Sequence, residues 1–317
     1  QGNVLGWHQF AKNRKEYEPI KAPTSLPIAL RRQQQAMNDN RANFKILSEA
    51  LDALDATHDF SQYDNDNDGD IDLVTVLYAG APTGWGSFWW AYRWEFFVSE
   101  ASSKLFDGKR AKQFVFQFVD TRGPGNTDFD PTTLLHEMGH AFGLADYYDY
   151  DSEVGPPGGV GGLDMMHANQ VYQNAFSRWL LDWINPEVIG AGVPNERTLN
   201  ASGSITNTNK AIAIFPGLAG NIAPEQEMFI VENRHRVGND ANLPGDGFLI
   251  WHIDASINAD GDDFALDNSF TARKLIKLMR ADNAVDFGEF EQATANTYFN
   301  AGKSFTPTSS PNSSSYS

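Results

Sequence analysis

Apolar residues recur at helical spacing between Ile28 and Ala56, where Leu30, Met37, Phe44, Leu47, Leu51 and Leu54 stand three, four or seven positions apart. The spacing predicts one or two helices there. The pattern then shortens to runs that fit buried strands, first Leu73 to Tyr78 and then Phe114 to Val119. Thr121 to Asn126 has the composition of a loop, and Asp130-Pro131 reads as the N-cap and first turn of a helix running to about Phe142 and stopping at Gly143. Gly155 to Gly162 is a further loop by its glycines and prolines, and Gln170 to Ile184 reads as a helix ended by Asn185-Pro186.

Beyond about Gly190 the character changes. Short apolar or alternating runs, Ala211 to Phe215, Met228 to Glu232, Phe248 to Ile253 and Leu275 to Met279, alternate with Gly, Asn, Asp and Pro and predict a β-rich C-terminal half. The expected division is residues 1–190 and 191–317, the second part packed on the first. Thr306 to Ser317 is rich in Ser, Thr, Pro and Asn, as in a surface loop or linker. His252 lies among Ile250, Trp251 and Ile253 and is expected to be a packed strand residue, not a ligand.

Composition narrows the chemistry. The chain has no cysteine, so disulfides, thiolate ligands and thiol nucleophiles are excluded and any zinc must sit on His and carboxylate. An excess of 41 acidic over 24 basic residues gives a charge of -17, which repels nucleic acid and anionic membranes. No apolar run reaches the length needed to span a bilayer. No leader-like segment precedes Gln1, as expected of a cytosolic chain or of a trimmed secreted one.

The strongest signal is residues 136–146, His-Glu-Met-Gly-His-Ala-Phe-Gly-Leu-Ala-Asp. On a helix, His136 and His140 project from one face and can grip a single cation, with Glu137 beside them. A catalytic zinc takes three protein ligands and keeps one position open for water. Gly143 can turn the chain back toward the metal and Asp146 can supply the third ligand, with Asp149, Asp151 and Glu153 as competing carboxylates. Zinc so held acidifies water and polarises a peptide carbonyl, while Glu137 acts as general base.

A second cluster is acidic. Asp64, Asp66, Asp68, Asp70 and Asp72, with Gly69, match alternate positions of an EF-hand loop, but position twelve is Thr75 where a bidentate Glu belongs. A structural calcium is expected there, pinning the connection into the strand that follows. Asn258 to Asp263 is a weaker candidate of the same kind.

The segment HEMGHAFGLADYYD, His136 to Asp149, resembles the active-site segment of the immune inhibitor A-like family of bacterial metallopeptidases. Tyr63 to Val74 with Tyr78-Ala79-Gly80, Gly162 to Met166, Phe176 to Trp183, Glu232-Asn233-Arg234 and Gly247 to Asp254 are similar to other signatures of that family. The resemblance implies an α+β fold with a metzincin-like zincin catalytic domain and a β-rich C-terminal region. It also implies catalytic zinc, secretion from a bacterium and endopeptidase activity on protein or peptide substrates. A monomer is expected. Met166 would be its Met-turn residue, or Met165 in the other register. Two positions depart from the pattern: Ala168 or His167 stands where some metzincins place a tyrosine, and Tyr92 where the family often has a histidine. The alternative reading is a catalytically inactive zincin-fold surface or adhesion protein that binds calcium.

Overall fold

Helix α1, Ile28–Leu54, buries Phe44, Ile46, Leu47 and Leu51. Of the one or two helices that the apolar spacing predicts, the structure has one, unbroken over 27 residues. The computed structural model describes residues 2–119, 129, 131–190, 196–204, 208–216 and 222–316. The chain separates into two compact units, Gln1–Ala141 and Phe142–Ser317.

In the first unit, β2 (Val74–Tyr78) and β3 (Tyr92–Glu95) flank the central strand β5 (Gln113–Phe118), parallel on the β2 side and antiparallel on the β3 side. β5 is buried along almost its whole length, which suits its apolar run. A small parallel pair, β1 (Asp70–Ile71) with β4 (Arg110–Ala111), ties the acidic loop to this sheet's approach, and the short helix α2 (Ser99–Ser103) lies between. The core joins Phe44, Leu47 and Leu51 of α1 to Phe96, Phe106, Phe114 and Phe116. Rings stack within it, Phe96 on Phe114 at 4.4 Å between centroids and Tyr78 on Phe116 at 4.7 Å. Helix α3, Thr132–Ala141, closes the unit and lies against β5 and β3.

The second unit holds a five-stranded sheet in the order β10-β9-β8-β7-β6. Its strands are β6 (Glu187–Gly190), β7 (Ala211–Phe215), β8 (Glu227–Arg234), β9 (Gly247–Asp254) and β10 (Ile276–Met279). All neighbours are antiparallel except β6 and β7. The four expected strand runs are therefore β7 to β10, while β6 was not expected and places the change in character near residue 190 inside this unit. Trp251 opposes Ile230 and Leu278 and is wholly buried with Met228, Ile253 and Leu275. Phe248 and Phe299 exchange backbone hydrogen bonds of 3.1 and 2.9 Å beside the end of β9 that β10 leaves unpaired.

Two short helices precede the sheet, α4 (Met165–Ala168) and α5 (Ala175–Leu180). The helix expected over 170–184 is much shorter, for a local reason. Asn174 accepts the Ser177 N–H and caps α5 at that point, and Asp182 adopts φ +55° just past its end. In the tail, the Tyr316 ring stacks on His252 at 4.4 Å between centroids and its backbone N–H donates to Glu227 Oε1 at 2.5 Å. Among the described residues no helix is long and apolar enough to cross a membrane.

Candidate metal centre

Helix α3 begins where the Pro131 carbonyl accepts the Leu135 N–H at 2.9 Å. Asp130, its expected cap, and the expected loop Thr121 to Asn126 lie outside the described residues. His136, Glu137 and Gly139 are buried and His140 is half-buried. The two imidazoles stand one turn apart, edge to face, with centroids 4.8 Å from each other. The helix ends at Ala141, and Gly143 takes φ +92°. A Cβ at Gly143 would meet nothing within 4 Å, so the need for glycine is conformational rather than steric.

One ligand atom each from His136, His140 and Asp146 lies within 4.8 Å of the others. Two of the competing carboxylates serve other bonds. Asp149 accepts the Asp151 N–H at 2.9 Å and lies 3.3 Å from the buried ammonium of Lys274, while Asp151 accepts the Glu153 N–H at 3.2 Å. None of those three joins the His136–His140–Asp146 cluster among the described residues.

Two tyrosines that spacing did not single out border Asp146. The Tyr150 hydroxyl donates to Asp146 Oδ2 at 2.9 Å, and the Tyr148 and Tyr150 hydroxyls are 2.5 Å apart. Burial, and next the Asp146 carboxylate, push the Tyr148 phenol far above its ordinary range, so it stays protonated at neutral pH. The available signal was the density of tyrosine at 147, 148 and 150, which spacing alone reads as packing.

Met166 is wholly buried, and its carbonyl accepts the Tyr147 N–H at 3.0 Å; Met165 is slightly less buried. Asp164 caps α4 by accepting the Met166 N–H at 2.6 Å, and its second oxygen accepts the backbone and side-chain N–H groups of Asn174 at 2.5 and 2.8 Å. Complete burial raises the Asp164 carboxyl to about 6, against the pull of those donors. His167 accepts the Val160 N–H at Nδ1, 3.1 Å away.

Strand β8 braces this segment. Arg234, fully buried, forms a bidentate pair with Asp240 at 2.7 and 2.5 Å and reaches the carbonyls of Leu163 and Tyr172 at 3.4 and 3.3 Å. Glu232 accepts from Arg178 at 2.6 Å, Trp251 at 2.8 Å and Ser202 at 2.9 Å. Burial alone would raise the Glu232 carboxyl, but Arg234 and Arg178 hold it below the usual range.

The acidic loop departs from the five-ligand expectation. Asp64, Asp66 and Asp72 come together, but Asp70 is taken by Arg110 at 2.6 Å and Lys112 at 3.6 Å, and Asp68 accepts the Asp70 N–H at 2.8 Å. Asp64 is held below its ordinary range chiefly by a hydrogen bond from Lys109, an ammonium seated where a calcium ion would compete. Asn258 closes its own turn by accepting from Gly261 at 2.8 Å and donating to Asp262 at 2.9 Å, so that stretch is a polar turn.

Tyr92 is a core residue: its hydroxyl donates to Asn43 at 2.9 Å and its ring packs near Phe114 and Phe116. His252 is the packed strand residue expected, sandwiched between Phe229 and Tyr316 and 2.9 Å from Glu227. Burial pulls its pKa down.

Neither the protein-family models nor the curated proteins contain a match to this chain. Two imidazoles and one carboxylate, with no thiolate in the chain, form a set that suits zinc and falls one ligand short of closed tetrahedral coordination. Asp64, Asp66 and Asp72 offer only oxygen, which suits calcium.

Proposed function

We propose that the chain is a secreted bacterial zinc endopeptidase of the immune inhibitor A-like kind, with His136, His140 and Asp146 as metal ligands and Glu137 as general base. The observation that carries the reading is the convergence of those three side chains within 4.8 Å, with Glu137 adjacent on the same helix. A zinc ion bound there supplies Lewis acidity for peptide hydrolysis. Glu137 takes the proton of the attacking water and passes it to the leaving amine. The helix fixes both imidazoles and Glu137 on a rigid element, so little ordering is required on substrate arrival. Calcium at Asp64, Asp66 and Asp72 would be a structural ion for the first unit.

Digestion of casein by the wild type and by Glu137→Ala, with and without chelator, tests the reading. Proteolysis that chelator abolishes, and that Glu137→Ala lowers by about 10²–10⁴-fold while the zinc is retained, is the expected result. A folded, zinc-loaded wild type without chelator-sensitive proteolysis would overturn it in favour of a binding protein.

A further inference from the structure

We propose that Tyr150 is a positioning residue for Asp146, held in place by the turn at residues 267–274, and that its hydroxyl sets how tightly zinc is retained. The proposal rests on the zinc-peptidase reading above and goes beyond it by assigning the support of the third ligand.

Asp146 stands outside any helix or strand, so no ladder of backbone bonds fixes its side chain. The Tyr150 O–H to Oδ2 bond of 2.9 Å restrains the carboxylate directly. Tyr150 is in turn fixed from a segment more than a hundred residues away. Its N–H donates to Ser269 Oγ at 2.9 Å, and the Ser269 hydroxyl donates to the Tyr148 carbonyl at 3.2 Å. Its ring lies parallel to that of Phe270, 1° between planes and 6.4 Å between centroids. Asn268 donates to the Tyr147 carbonyl at 3.3 Å.

The same turn disposes of the nearest rival. Lys274, 5 % exposed, bonds the Asn268 carbonyl at 2.6 Å and faces Asp149 at 3.3 Å, so Asp149 has a cationic partner of its own. The turn is shaped by Asp267, whose carboxylate accepts the N–H groups of Ser269 and Phe270 at 2.8 and 2.6 Å. One loop thus anchors the segment from Tyr147 to Tyr150, pairs the carboxylate that is not used and orients the donor to the one that is. Partners that orient a metal's ligands are worth about 10–100-fold in affinity when removed.

Tyr150→Phe removes only the hydroxyl and keeps the ring against Phe270. The test is zinc affinity of the full chain by competition with a chromophoric chelator, together with the melting temperature of the metal-free protein. Zinc binding weakened about 10–100-fold with an unchanged metal-free melting temperature is expected. Ser269→Ala, which loosens Tyr150 without touching Asp146, should weaken zinc in the same direction by less. Equal zinc affinity of Tyr150→Phe and wild type overturns the proposal and leaves the peptidase reading standing, as does a lowered melting temperature with unaltered affinity. A folded wild type that binds no zinc overturns both.

Discussion

The backbone N–H of Tyr147 donates to the carbonyl of Met166 at 3.0 Å, joining the residue after Asp146 to a methionine that solvent does not reach. Removing the Met166 side chain leaves a cavity next to that bond. Met166→Ala should cost about 2–5 kcal/mol, and the volume-conserving Met166→Leu less than about 1.5 kcal/mol. Urea midpoints of the two variants check this, and equal losses would mean that the site is not tightly packed.

Gly143, at φ +92° with open space around its Cα, separates strain from crowding. Gly143→Ala should destabilise by about 1–2 kcal/mol through backbone strain alone. Gly143→Asn should cost less, because asparagine tolerates positive φ. Thermal unfolding of both variants is the measurement, and an alanine variant as stable as wild type would refute the argument.

Asp164 makes stability pH-dependent in a direction opposite to that of most carboxylates. Its folded pKa is raised to about 6, so its contribution is fully present below the unfolded value and is lost as pH rises through about 6. Asp164→Asn cannot titrate. The stability advantage of wild type over that variant should therefore be greatest near pH 4 and shrink by on the order of 3 kcal/mol by pH 7. Denaturant titrations of both proteins across that range give the difference, and a constant gap would contradict the assignment.

The Arg234–Asp240 pair is fully buried on both sides. Arg234→Met leaves Asp240 and Glu232 with less compensating charge and should cost about 3–5 kcal/mol, while replacing both members with apolar residues should cost much less. A double-mutant cycle on melting temperatures reads the coupling.

Lys109 occupies the oxygen cluster of the acidic loop through Asp64. Lys109→Met should lower the melting temperature in chelator and increase the rise produced by calcium, since Asp64 is then freed for the cation. A wild-type and variant melting temperature both indifferent to calcium would remove calcium from the account of this loop.

Much of this was legible in the sequence where the physics is local. Periodicity located α1 almost to its ends, and continuous apolar runs located β2, β5 and β7 to β10, because strand and helix periods act within a few residues. β3, Tyr-Arg-Trp-Glu, was missed because its pattern is neither apolar nor cleanly alternating and its pairing partner β5 lies twenty residues away in the chain. The His136–His140 spacing was readable because helix geometry fixes it. The Tyr150–Ser269 and Asp149–Lys274 contacts were not, because they depend on two loops meeting at separations of 119 and 125 residues.

The exchange of hydrogen bonds between Phe248 and Phe299 has a consequence for life in a crowded, concentrated setting. β10 covers only Ile250 to Ile253 of the eight-residue β9, and an uncovered stretch of ladder is a template for a foreign strand. The Phe299 segment fills part of that gap with the chain's own backbone, so the margin of the sheet offers less foothold for the edge-to-edge growth that ends in fibrils.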